Sequence, residues 1–95
     1  VKKCTFAEKM QLSIDISYYP LTEQYLEPIK AFIGRLHTHP EIFVKSNGMS
    51  TQVFGEYADV MRIVTLEIEK AMELPHSIFV LKMANARLDI DYKPR

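Results

Sequence analysis

Ser13, Asp15, Ser17 and Tyr19 recur at every second position near the start of the chain. In an extended strand that spacing puts three hydroxyls and a carboxylate in a single row. A polar row of this kind is either a plain solvated sheet surface or a set of convergent groups lining a small-molecule pocket. A second polar group, Ser46-Asn47-Gly48-Met49-Ser50-Thr51, adds amide and hydroxyl donors and acceptors. Ordinary turn chemistry accounts for that group equally well.

Other chemistry is poorly served. His37 and His39 flank Thr38, and His76 follows Pro75 in a similar context. Two imidazoles at i and i+2 do not share a helical face, and no Cys or nearby carboxylate completes a zinc set. No metal and no cofactor is therefore expected, and the plain account of the histidines is their affinity for the negative ends of helices. Cys4 has no recognisable activating partner and reads as an incidental thiol. Phosphate loops, nucleophile elbows and H-E-x-x-H are all missing. The five dispersed Met residues suit gap-filling in a core.

The elements that would position these groups follow from periodicity. Gln11 to Tyr18 alternates, with Leu12, Ile14, Ile16 and Tyr18 on the buried face, and Pro20 ends the strand. Thr22 is a candidate helix cap, with Leu21 reaching Leu26 as a staple. Ile29, Phe32, Ile33 and Leu36 then form a helical stripe. Pro28 implies an irregular first turn, with the regular helix starting near it. Ile42-Phe43-Val44 lies in a short strand, Glu41 to Ser46. Asn47-Gly48 then signals a hairpin, through its tolerance of positive φ, into a strand from Ser50 to Glu56, with a longer loop and another register as the alternative. Tyr57, Val60, Met61, Val64, Ile68, Ala71 and Met72 mark a second helix, which Pro75 stops. Ser77 to Ala84 is the last strand. Beyond it Leu88, Ile90 and Tyr92 alternate with Asp89 and Asp91.

The order β-α-β-β-α-β carries a weak internal repeat, with Ile42-Phe43-Val44 echoed by Ile78-Phe79-Val80. Two such units with right-handed crossovers give an α+β, ferredoxin-like sandwich. Two helices would cover one face of a four-stranded antiparallel sheet and leave the other face open. Residues 1–95 form one domain, with a core from about 10 to 86 and a tail from 87 to 95.

The 95 residues carry 12 basic and 12 acidic side chains, with 47% hydrophobic and 11% aromatic content. A chain this short buries roughly 60–65% of its unfolded surface. A single Cys allows no internal disulfide, so association is the remaining source of extra stability. Zero net charge disfavours nucleic acid, and Ser50-Thr51-Gln52-Val53-Phe54-Gly55-Glu56 does not match an RNA-recognition strand. The longest apolar run, Ile78 to Leu81, is far too short for a membrane span. No signal-peptide pattern is present, and one thiol fits a reducing, cytoplasmic setting.

Ser13-Ile14-Asp15-Ile16-Ser17-Tyr18-Tyr19-Pro20-Leu21 resembles the opening strand of the YkoF-like thiamine and hydroxymethylpyrimidine-binding proteins. Ser46, Thr51 and Gly55 fall on that family's characteristic positions in the second and third strands. The resemblance spans roughly Gln11 to Ala86, and extends to related single-domain thiamine-binding proteins. The chain departs from some relatives in having Phe54, rather than Glu, before the glycine, and one domain rather than two. The resemblance implies a non-enzymatic binder of thiamine or its pyrimidine precursor, assembled as a homodimer or homotetramer. The candidate ligand-binding residues, taken from the polar strand and loop chemistry together with this resemblance, are Ser13, Asp15, Ser17, Tyr19, Ser46, Asn47 and Thr51. Asp15, Ser13, Ser17, Asn47 and Thr51 can pair with an aminopyrimidine, and Tyr19, Phe43 or Phe54 can supply the flat contact. A thiazolium cation favours a carboxylate or an aromatic face. The alternatives are a small dimeric enzyme of monooxygenase type, using His37, His39 or His76, and a ligand-free interaction module.

Overall fold

The computed structural model describes residues 9–88. Cys4 and the alternation of Asp89, Ile90, Asp91 and Tyr92 lie outside the described residues.

Six elements follow the expected order: β1 (Gln11–Pro20), α1 (Leu26–Leu36), β2 (Phe43–Ser46), β3 (Thr51–Glu56), α2 (Tyr57–Ala71) and β4 (Ser77–Ala84). The strands form one antiparallel sheet in the order β2-β3-β1-β4, the ferredoxin-like arrangement. β1 lies between β3 and β4. Its even-numbered apolar residues Leu12, Ile14 and Ile16 are almost fully buried. They pack with Phe32 and Leu36 of α1, with Val60, Ile63 and Val64 of α2, and with Val44 and Val53. Burial of side chains this size is worth about 1.5–3 kcal/mol each, enough to fix the register, because a slip of one residue would turn the set outward.

Two local expectations are corrected, the Thr22 cap and a positive φ at Gly48. Thr22 is not the cap of α1. Residues 22–24 form a turn held by the Thr22 amide on the Pro20 carbonyl, and the helix starts at Leu26 with Tyr25 at the cap position. Pro28 is then the third helical residue, where its missing N–H would have had no intrahelical acceptor. The hairpin has four residues between the paired Ser46 and Thr51, and Gly48 does not take a positive φ. Asn47 instead accepts hydrogen bonds through Oδ1 from the amides of Met49 (2.7 Å) and Ser50 (3.1 Å), so its side chain makes the turn.

The buried stripe of α2 is also rotated from the expected one. Ile63 and Glu67 are buried, whereas Tyr57 and Met72 at the helix ends are exposed. Glu67 is the only charged side chain among the buried described residues. Its Oε1 accepts from Arg35 Nε at 2.7 Å and its Oε2 bonds His39 Nε2 at 2.8 Å, which ties the C-terminal end of α1 to the middle of α2. Burial pushes this carboxyl up. The hydrogen bonds from His39 and Arg35 outweigh that, and Lys70 and Arg35 add attraction, so the group sits below the usual carboxylate range.

The face away from the helices is partly covered. The Ser13 hydroxyl donates to the Ala86 carbonyl at 2.6 Å and accepts from the Leu88 amide at 2.9 Å, so the segment after β4 folds back beside β1. Ser13 and Phe54 are both buried on this side.

Candidate functional site

A cleft of about 340 Å³ lies between the end of β1, the following turn, Ile29, Phe32 and Ile33 of α1 and the β2–β3 loop. Its floor is aromatic. Tyr18 stacks on Phe79 with centroids 4.2 Å apart, and Phe32 meets both rings edge-on at 5.5 and 5.4 Å. Tyr18 and Phe32 line the cleft, with Tyr19, Tyr25, Leu21 and Ile29 on its walls. The polar rim comes from the loop, as Asn47, Ser50 and Thr51. No lining side chain belongs to an Asp, Glu, Lys, Arg or His.

The loop chemistry decides which polar atoms remain available. Asn47 Oδ1 is committed to the turn, so its Nδ2 is the atom left to donate outward. The Thr51 hydroxyl is buried and shares a 3.0 Å hydrogen bond with Ser46 Oγ. Ser50 donates to Asp15 Oδ1 at 2.6 Å and accepts from Gln52 Nε2 at 2.8 Å. Gln52 also donates to the same Asp15 oxygen at 2.8 Å.

The two spaces divide the seven candidate residues. Tyr19, Asn47 and Thr51 line the cleft, and Ser46 supports it through Thr51. Ser13 and Asp15 line a separate, shallower hollow of about 500 Å³ on the opposite sheet face, with Gln52 and Lys82. Ser17 pairs with Val80 and lines neither space. Phe43 and Phe54 contact each other at 6.0 Å and are not cleft residues. Asp15 is held below the usual carboxylate range by the Ser50 and Gln52 hydrogen bonds, with Lys82 adding attraction against the effect of burial. It meets the cleft only through Ser50, whose side chain belongs to both spaces.

Sequence reasoning did not single out Tyr18, Tyr25 or Phe32 as site residues. Tyr18 and Phe32 are indistinguishable from core by periodicity, and Tyr25 sits at the cap position of α1, outside the apolar stripe that marks the helix. Neither His37, His39 nor His76 lines the cleft. His39 is engaged by Glu67 between the helices, and His76 holds a left-handed backbone at φ 64° just before β4. No group of three or more potential metal ligands occurs among the described residues.

No family model matches the chain, and no curated protein matches it in sequence. Solved structures do. A protein from Streptococcus pneumoniae aligns with a TM-score of 0.75 at 23% identity, covering 83% of this chain and 90% of that one. A putative thiamine biosynthesis/salvage protein from Thermotoga maritima aligns at 0.68 with 19% identity, covering 87% and 84%. A domain of unknown function, DUF77, from Bacillus cereus aligns at 0.68 with 15% identity, covering 87% and 83%. At these identities the likeness establishes the shared fold.

Proposed function

We propose that this protein is a non-enzymatic small-molecule carrier or sensor whose cleft takes thiamine through its hydroxymethylpyrimidine ring. The observation that carries this reading is the uncharged, tyrosine-walled cleft closed on one side by the Asn47 turn. Its volume of about 340 Å³ is at the small end of the range for ligand sites. A flat aminopyrimidine can lie against Tyr19 or Tyr25 and accept a hydrogen bond from Asn47 Nδ2. A thiazolium cation gains from the same ring faces without needing a carboxylate beside it. The named role of the Thermotoga maritima neighbour in thiamine biosynthesis or salvage supports the choice of ligand. The non-catalytic reading is supported by a lining whose only titratable side chains are tyrosines.

We place the protein in the cytoplasm as a homodimer or homotetramer, without nucleic-acid or membrane partners. The balanced charge supports the first exclusion, and among the described residues no helix is long and apolar enough to cross a membrane. Titration calorimetry with thiamine and with hydroxymethylpyrimidine tests the ligand. Saturable heat with both, weakened at least tenfold by Tyr19→Ala, is expected. No heat with either at millimolar concentration refutes the assignment.

A further inference from the structure

Asn47 and Gly48 lie in the loop between the paired Ser46 and Thr51, and both are exposed. Three features of this pair bear on a single reaction. The Oδ1 of Asn47 accepts from the amides of Met49 (2.7 Å) and Ser50 (3.1 Å), which draws electrons away from Cγ and opens that carbon to attack. The Gly48 amide, the next nitrogen along the chain, has no hydrogen-bond acceptor among the described residues, so no native bond must break before it moves. Gly48 also has no side chain, and a Cβ placed there would meet nothing within 4 Å, so the space beside its nitrogen is open.

We propose that Asn47 and Gly48 form a self-modifying site that converts the amide at the rim of the cleft into a carboxylate. The Gly48 nitrogen bonds to Asn47 Cγ and gives its proton to water. The π pair of the Cγ–Oδ1 bond moves onto Oδ1, where the Met49 and Ser50 amides meet the developing charge. As the carbonyl re-forms, the Cγ–Nδ2 bond breaks and Nδ2 leaves with a proton as ammonia. The product is a five-membered imide, whose closure within one chain needs no encounter between molecules. Water then opens the ring. Attack at Cγ gives an ordinary aspartate. Attack at the main-chain carbonyl carbon of residue 47 gives an isoaspartate, with the chain running through Cβ and Cγ. One water is consumed and one ammonia released, with no change of oxidation state.

The change falls where the cleft is sensitive to it. No lining side chain belongs to an Asp, Glu, Lys, Arg or His, so the new carboxylate brings a formal charge to a lining that has none. Nδ2 is the outward donor of the turn, and it is the atom that leaves. The aspartate product keeps the acceptor that makes the turn. The isoaspartate product moves that carbonyl into the main chain and lengthens the loop by one carbon between its paired ends. Both lose the hydrogen bond offered to a pyrimidine ring. A thiazolium cation recovers part of that loss from the negative charge, and neutral hydroxymethylpyrimidine does not. The cleft therefore loses affinity as the protein ages. That consequence rests on the proposed function, whereas the modification itself does not.

The whole protein is incubated in mildly alkaline buffer and digested with trypsin, and the peptide masses are followed with time. Peptide 46–62 contains Asn47, and peptide 83–87 contains Asn85, the only other asparagine, also exposed but followed by Ala86. Peptide 46–62 should gain the mass of an amide-to-acid exchange and split into two species, one of them labelled by an isoaspartyl methyltransferase. Peptide 83–87 should remain an amide. Gly48→Ala adds a Cβ in open space at a backbone without positive φ, so it should fold as the parent does and convert several-fold more slowly. Folded and urea-unfolded chains should convert at comparable rates. An Asn47 that stays an amide in the folded protein while the unfolded chain converts overturns the proposal, and so does Asn85 converting as fast as Asn47. The deamidated form, separated by its added negative charge, should bind hydroxymethylpyrimidine about tenfold more weakly in calorimetry, the equivalent of one lost hydrogen bond. Equal affinity of the two forms overturns the effect on the cleft. If the fresh protein binds neither ligand, the proposed function fails, and the peptide masses still decide the modification.

Discussion

Replacing Glu67 with Gln tests whether the two helices are held by a buried charge. The carboxylate side chain is 3% exposed and accepts two hydrogen bonds from cationic partners or partners able to become so. Gln keeps the volume and one acceptor oxygen, but turns an NH2 toward either Arg35 or His39. Turned toward Arg35, the NH2 loses that hydrogen bond; turned toward His39, it keeps one only by donating to a neutral imidazole, and in either case the charge on the acceptor is gone. A bond to a charged group contributes about 1.5–3 kcal/mol, and breaking a wholly buried ion pair costs about 3–5. Arg35 is 31% exposed and His39 20%, so water reaches the stranded donors and the cost falls toward the lower figure. The expected loss is about 2 kcal/mol, or about 8–16 °C in Tm for a domain of this size. Urea unfolding followed by circular dichroism at pH 7 measures it. The pH dependence provides a second check. The folded-state value of Glu67 is lowered, so its contribution is complete above the unfolded-chain value and disappears as pH falls through the folded one. The gap between parent and variant should therefore close in the acid range below ordinary carboxylate titration. A loss under about 0.5 kcal/mol at pH 7, on the scale of an exposed pair, or a gap of constant size down to acid pH, would refute the reasoning.

Asn47→Asp separates two roles of one side chain. It keeps the oxygen acceptor that makes the turn and removes Nδ2, so stability should hold within about 0.5 kcal/mol while calorimetry shows weaker thiamine binding. Asp15→Asn should weaken binding less than Asn47→Asp, because Asp15 touches the cleft only through Ser50; an equal or larger effect would move the ligand toward the other face. Gly55→Ala should cost about 1–3 kcal/mol in urea unfolding, because a Cβ there would lie 3.1 Å from Val60 Cγ2 and 3.4 Å from the Glu41 carbonyl. The backbone at Gly55 is not left-handed, so the effect is steric.

What was legible in the chain follows from what is local. β1 alternates from Gln11 to Tyr18 and β4 holds the longest apolar run, Ile78 to Leu81, and the expected bounds of β4 match those observed. The helix stripes were sound where packing runs along the axis and failed where it does not. Glu67 reads as a solvent-facing carboxylate until its partners 28 and 32 positions away are known. Thr22 has the right chemistry for a cap, but the Leu21 amide bonds the His76 carbonyl and holds this segment in a turn. Period two places Ser13, Asp15 and Ser17 on one side of β1. It could not say that the cleft opens beside Ile16 and Tyr18, on the other side of the strand. The loop residues of the cleft stand out in the chain because amide and hydroxyl groups cluster there in sequence as well as in space.

The position of β1 in the middle of the sheet also orders events as the chain is made. Its neighbours are β3 and β4, and the hydrogen bond from Ser13 to Ala86 closes a separation of 73 residues. Contacts this distant require loop closure before they return any stabilisation, which slows folding relative to a helical domain of equal length. While the chain emerges from the ribosome, β1 exists long before its β4 partner. Leu12, Ile14 and Ile16 are then exposed on a strand with an open edge, so this interval is when the chain most needs protection from aggregation.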